Sequence, residues 1–289
     1  MAPFDSDCTA LVSTARATEL GLTPRNFDET SSDGLGWEPF YADSAARIGA
    51  FSCGWVTADG ISYSSIQVIP SAAISDSLRQ QWPEWFTGEC VSIFEDCQHL
   101  IEANGIAVVV NAAPDVRDEV VGDVTDALES ADEPAIGTLP LDAWQEPLTC
   151  DVVMGVVKEW SPTDELEPGL PTDVIGVGPF TEGLRETAPY VWCPLTGYQE
   201  NTMIAAVIQP GHGAPSEARL EALKAEPYTV LGADNAWVVR EMPYSMTTAV
   251  VAVVGSNRVT IAMGSQTRSE EELVGTATSI IAELLARHR

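Results

Sequence analysis

Two long stretches of this chain repeat each other, and any fold must house the motif twice. Ser65-Ile66-Gln67-Val68-Ile69-Pro70 resembles Ala205-Ala206-Val207-Ile208-Gln209-Pro210. A cysteine beside an aromatic lies upstream of each, in Phe51-Ser52-Cys53-Gly54-Trp55 and in Val191-Trp192-Cys193-Pro194. Cys53 to Pro70 and Cys193 to Pro210 both span 17 positions, an offset of 140 between copies. Further upstream, Cys8-Thr9-Ala10-Leu11-Val12 answers Cys150-Asp151-Val152-Val153-Met154 at an offset of 142.

Downstream of the shared proline, each copy has a short polar segment of helical character, Ser75–Gln81 and Ser216–Lys224. Asn104-Gly105 then turns into a strand over Ile106–Val110 and a helix over Asp115–Glu129; Asn-Gly between apolar runs is a strong hairpin signal. The second copy turns at Ser256-Asn257 into Val259–Met263 and a helix over Ser269–Ala286, opened by a Ser269/Glu272 capping box. Further strands are expected at Ile61–Ile69 and Val91–Phe94, and at Met203–Gln209, Ala236–Arg240 and Thr247–Val254. Consecutive strands joined by tight turns predict an α+β class, with a mainly antiparallel sheet covered by helices in each copy. The expected division is 1–130, a linker over 131–143 centred on the Pro- and Gly-bearing Ala131–Leu141, and 144–289. Ser161–Pro179, rich in Pro, Gly and acids, reads as a long surface loop.

The repeat also suggests how six cysteines pair. Cys8 and Cys53 are equivalent to Cys150 and Cys193, giving Cys8–Cys53 and Cys150–Cys193, each tying the first helix of a copy to its first strand. Cys90 and Cys97 remain to pair with each other. Disulfides persist in oxidising compartments, so the chain is expected outside the cytoplasm. Met1-Ala2-Pro3-Phe4 has neither the basic region nor the apolar run of a signal peptide, so the cysteines decide the compartment. No apolar run is long enough for a membrane helix, so no transmembrane segment is expected.

Charge narrows the partners. With 43 acidic against 14 basic residues, the formal net charge is −29, which repels nucleic-acid phosphates and anionic lipid headgroups. Steering of basic partners is the functional reading; general solubility is the plainer one. The acids are scattered as on a solvated helix face, as in Asp115, Asp118, Glu119, Asp123, Asp126 and Glu129.

Catalytic machinery is not evident. No phosphate-binding glycine loop, nucleophile elbow or Cys-x-x-Cys pair occurs, and the only lysines are Lys158 and Lys224. His99, His212 and His288 are not at metal-ligand spacing, and neither metal nor cofactor is expected. His212, in Pro210-Gly211-His212-Gly213-Ala214-Pro215, reads as a turn histidine, since the matching position of copy one is Ala72. Asp5-Ser6-Asp7 and Asp164-Glu165-Leu166-Glu167 offer hard oxygens but no EF-hand pattern. Trp82-Pro83-Glu84-Trp85-Phe86 is the one candidate contact patch: Trp82, Trp85 and Phe86 cannot all point inward from a short helix interrupted by proline. The plainer reading packs Trp82 and Phe86 on the sheet.

Cys8-Thr9-Ala10-Leu11-Val12, Cys53-Gly54-Trp55 before a strand, the terminal acidic helix and a composition rich in Ala, Val, Asp and Glu resemble actinobacterial cell-envelope lipoproteins. Such proteins look like members of the PsbP-like α/β/α sandwich group. The resemblance covers each copy, though Trp192-Cys193-Pro194 departs from it, and it brings no catalytic residues. It implies an exported domain used for binding or assembly, tethered through a lipid anchor on a longer precursor. The expected function is therefore an extracytoplasmic, secreted or anchored, non-enzymatic protein that binds an envelope protein or small ligand. The alternatives are a secreted hydrolase using an acidic pair and a self-associating structural subunit.

Overall fold

The computed structural model describes residues 3–25, 46–57, 63–76, 79–80, 97–134, 140–144, 148–160, 166–168, 191–197, 202–240, 248–263 and 269–288. They divide into two compact units, one running to Pro134 and the other from Pro140. The fold is mixed α and β, with one antiparallel sheet in each unit.

In the first unit a tight turn over Cys8–Ala10 is capped by Asp7, whose carboxylate accepts from the Thr9 N–H at 2.8 Å and from its hydroxyl at 2.7 Å. Helix α1 (Thr14–Glu19) follows, with the Ser13 hydroxyl accepting from the Arg16 N–H at 3.2 Å. Strands β1 (Leu22–Arg25), β2 (Phe51–Thr57), β3 (Tyr63–Pro70), β4 (Cys97–Ala103) and β5 (Ile106–Ala112) form a sheet in the order β1-β2-β3-β5-β4. Asn104 and Gly105 turn β4 into β5 with φ of +49° and +73°, the doubly left-handed pattern that Asn-Gly accommodates. The Asn104 side-chain amide also donates to the carbonyls of Leu128 and Glu129, closing the end of helix α2 (Arg117–Glu129). Val120, Val124 and Leu128, four residues apart on one face of α2, bury against Ile66, Val68, Val108 and Val110 of the sheet.

The second unit opens with Trp144 and helix α3 (Cys150–Trp160). Its strands are β6 (Leu166–Pro168), β7 (Val191–Gly197), β8 (Thr202–Gln209), β9 (Glu226–Tyr228), β10 (Asn235–Arg240), β11 (Thr248–Val254) and β12 (Asn257–Met263). Their order is β6-β7-β8-β12-β11-β10-β9. Helix α4 (Glu217–Ala222) lies between β8 and β9, and helix α5 (Glu270–Arg287) ends the unit. Ser269 and Glu272 form the reciprocal capping box, at 3.2 and 2.8 Å. α5 packs on β11, β12 and α3 through Leu273, Ala277, Ile280, Ile281 and Leu284. Every interior position of β11 is buried, which is why Thr248–Val254 is continuously apolar and does not alternate.

The middle strands of the two sheets share one plan, β2-β3-β5-β4 in the first and β7-β8-β12-β11 in the second. Cys53 faces Ile66 and Cys193 faces Ala206, the same register at the offset of 140. The disulfides Cys8–Cys53 and Cys150–Cys193 join Cα atoms 5.6 and 5.3 Å apart, the pairing implied by the repeat. Of the third expected pair, Cys90 lies outside the described residues and Cys97 is placed only by its backbone, at the start of β4.

Several expectations need correction. Cys53 and Cys193 do not lie on the first strands, because β1 and β6 precede β2 and β7 and pair with them. β6 falls inside Ser161–Pro179, expected to be loop; three residues with a proline carry no alternation to read. Cys8 opens a single tight turn, and the first α-helix of that unit begins at Thr14. In the second hairpin the turn residues are Gly255 and Ser256, with φ of +57° at Gly255, and Asn257 is the first, buried residue of β12. The expected strand Val91–Phe94 lies outside the described residues, as do positions 77, 78 and 81 of the expected helical segment Ser75–Gln81; the Arg79 N–H donates to the Ser75 carbonyl at 3.0 Å, the spacing of a helical turn.

A second self-similarity escaped the sequence reading. Ser13-x-Ala15-Arg16 and Ser216-x-Ala218-Arg219 cap α1 and α4 with nearly identical backbone, φ −60°, ψ 152° and φ −62°, ψ 152°. Leu20 and Leu223 end the helices, and Gly21 and Lys224 follow with φ of +70° and +51°. Each helix then feeds a proline-bearing margin strand, and Pro24 faces Trp55 as Pro227 faces Trp237.

Candidate functional site

Of the candidate site residues, Trp82, Trp85 and Phe86 lie outside the described residues. His212 is in a turn after β8, between Gly211 and Gly213 with φ of +76° and +58°. Its Nδ1 faces the Pro210 carbonyl at 3.0 Å, and its own carbonyl accepts from Arg258 Nη2 at 3.3 Å. Asp7 spends its carboxylate on the Cys8–Ala10 turn, and Thr9 holds it below the usual carboxylate range. Among the described residues no cluster of His, Cys, Asp and Glu is arranged to hold a metal ion. No described helix is long and apolar enough to cross a membrane.

Among the described residues, a polar cluster in the second unit centres on Asn257 of the β11–β12 hairpin. Asn257 is 2% exposed at the β11–β12 turn. Its Oδ1 accepts from the Trp144 N–H at 2.8 Å and the Gly211 N–H at 3.3 Å. Its Nδ2 donates to the carbonyls of Asp142 and Val254, both at 3.1 Å. All four hydrogen-bonding positions of the amide are used, so one side chain joins the incoming segment, the β8 turn and its own hairpin. Arg258 extends the lock by donating from Nε to the Gly213 carbonyl at 2.8 Å, and the Gly213 N–H donates to the Ser256 carbonyl at 2.7 Å. Trp144 stacks on His288 with ring centroids 6.1 Å apart. An Asn after Gly-Ser carries no distinguishing local signal; only the register that buries it reveals its role.

Asp142 completes the hub, with its carboxylate accepting from the Ser256 N–H at 3.1 Å. Hydrogen bonding from Ser256 pulls its carboxyl below the ordinary value. A depressed folded-state pKa stabilises the fold above the unfolded value of about 4 and is lost as pH falls through the folded value. Asp142→Asn is therefore expected to flatten the fall in stability below about pH 4, measured by urea denaturation at stepped pH. Parallel curves for the two proteins would refute the assignment.

At the β9 margin of this sheet, Arg240 joins Glu226 of β9 to Glu270 of α5, at 2.9 Å to the latter, and its guanidinium holds the Glu270 carboxyl below its ordinary value. In the first unit Arg16 of α1 pairs with Asp123 of α2 at 2.9 Å. These ion pairs tie elements of their own unit together; the Arg240–Glu226 pair is exposed and contributes little, whereas Arg16 and Asp123 are half-buried.

Sheet margins are the remaining surface with a chemical identity. Among the described residues, β1, β6 and β9, three of the four margin strands, contain Pro24, Pro168 and Pro227. Proline offers no N–H and keeps a margin from templating another strand. No protein-family model, no curated protein and no solved structure matches this chain.

Proposed function

We propose that this chain is an extracytoplasmic, non-enzymatic protein that binds or assembles with another component of the cell envelope, built from two copies of one α+β domain. The observation that carries this reading is the disulfide placed twice at one position of one strand plan, Cys53 opposite Ile66 and Cys193 opposite Ala206. Such bonds suit an oxidising compartment, where a rigid scaffold gains most from them. Shared strand order and the matched Leu-x-Pro margins Leu22–Pro24 and Leu166–Pro168 support duplication. The likeness to actinobacterial envelope lipoproteins, secreted or lipid-anchored, belongs to the same proposal. So does the small-ligand alternative to a protein partner. A net charge of −29 favours a basic partner through steering.

The test is affinity capture on the immobilised chain from detergent-solubilised envelope, with native mass spectrometry of what elutes at high salt. A stoichiometric complex re-formed from the purified partner supports the reading. Turnover on a glycan panel with no reconstitutable complex would replace it with the hydrolase.

A further inference from the structure

The margin strand without a proline is β4, Cys97-Gln98-His99-Leu100-Ile101-Glu102-Ala103. It pairs with β5 on one side and, among the described residues, ends the sheet on the other. Among the described residues, the backbone of Gln98 to Ala103 makes no hydrogen bond outside the β4–β5 ladder. Leu100 and Ile101 alternate to opposite faces of the sheet and are both half-buried, leaving apolar surface against which a further strand would pack. Glu102 is the one acid on the strand, salt-bridged to Arg79 at 2.7 Å.

The second unit shows what such a margin accepts. The hairpin pairs Ala103↔Ile106 and Val254↔Asn257 align β4 with β11 at an offset of 151. β11 is covered by β10, in which Trp237 faces Val251, the counterpart of Leu100, and Val238 faces Val250, the counterpart of His99. The occupant of β11 is thus an extended segment with adjacent apolar residues, one of them aromatic, ending in Arg240.

We infer that β4 is a strand-addition site that takes an extended, proline-free, cationic segment of a partner protein, antiparallel and in the register that β10 adopts on β11. Main-chain hydrogen bonds supply the affinity, and Leu100 selects a bulky apolar residue opposite it. Charge complementarity favours a cationic segment over a second copy: each copy carries −29, whereas a basic segment is attracted to it. The inference rests on the proposed binding function and names its surface.

The probe is a fluorescent synthetic peptide of the Asn235–Arg240 sequence flanked by lysines, titrated into the full chain and followed by anisotropy and amide hydrogen exchange. Saturable binding is expected, with slowed exchange confined to Gln98–Ala103. Methylating the peptide nitrogens that face β4 should weaken binding by about tenfold or more, the worth of one or two lost hydrogen bonds. Leu100→Lys should weaken it similarly while leaving the thermal midpoint near that of the parent. Absence of saturation, or binding indifferent to methylation without protection of β4, overturns the inference. Protection of β4 that rises with the concentration of the chain alone assigns the edge to a second copy and also overturns it. A captured envelope partner that leaves β4 exchange unchanged would sink the edge site while sparing the binding function.

Discussion

Replacing Cys150 and Cys193 together by alanine will lower stability by about 4 kcal/mol, and the same exchange at Cys8 and Cys53 will cost about as much. The bonds close loops with sequence separations of 43 and 45, and cross-linking removes the corresponding entropy from the unfolded chain. For a unit of this size the loss corresponds to a fall of roughly 12–20 °C in melting temperature. Substitution is the cleaner experiment, because it removes one bond at a time, whereas a reductant can attack both through the half-buried sulfurs of Cys8 and Cys150. Calorimetry gives the magnitude, and hydrogen exchange locates it: protection should fall chiefly in α2 for the first pair and in α5 for the second. A variant melting within a degree or two of the parent would show that the bond does not constrain the unfolded chain as argued.

Asn257→Ala carries the second large effect, a loss of about 3 kcal/mol. The alanine leaves the buried Trp144 N–H and the Gly211 N–H without their acceptor, and each stranded donor costs about 1–3 kcal/mol. Asn104→Gly is the instructive comparison, because glycine keeps the positive φ of this position while removing the amide. Asn104 sits at the first hairpin turn and makes only the two helix-end contacts, which solvent can replace, so about 1 kcal/mol is expected. Urea midpoints of the two variants should therefore separate clearly. Equal midpoints would mean that water replaces the hub in the alanine variant.

The contrast between these asparagines also shows what could be read from the chain alone. Asn104-Gly105 announces a hairpin because two adjacent residues must both tolerate positive φ, a local demand met by few pairs. Ser269 with Glu272 is legible for the same reason, as is the last helix. Ser256-Asn257 resembles a turn because both residue types favour turns; the burial of Asn257 follows from pairing with Val254 across a hairpin whose turn lies one residue earlier. The margin strands β1, β6 and β9 exist by virtue of the neighbours they pair with, and three or four residues around a proline give no period to detect. The candidate site divides similarly. Cysteine pairing could be inferred because the self-similar stretches supply an alignment within one chain, whereas the β4 edge becomes visible only when strand order shows which ladder is left incomplete.

The helix-and-margin piece built from α1 and β1 recurs as α4 and β9, yet it closes the first sheet beyond β2 and the second beyond β10. In one sheet it borders the cysteine-bearing strand; in the other it lies at the far end from it. A terminator that fits either flank behaves as an interchangeable part, specified by its own capped helix and by the tryptophan it meets. The four strands at the heart of each sheet keep one register whichever flank this piece closes.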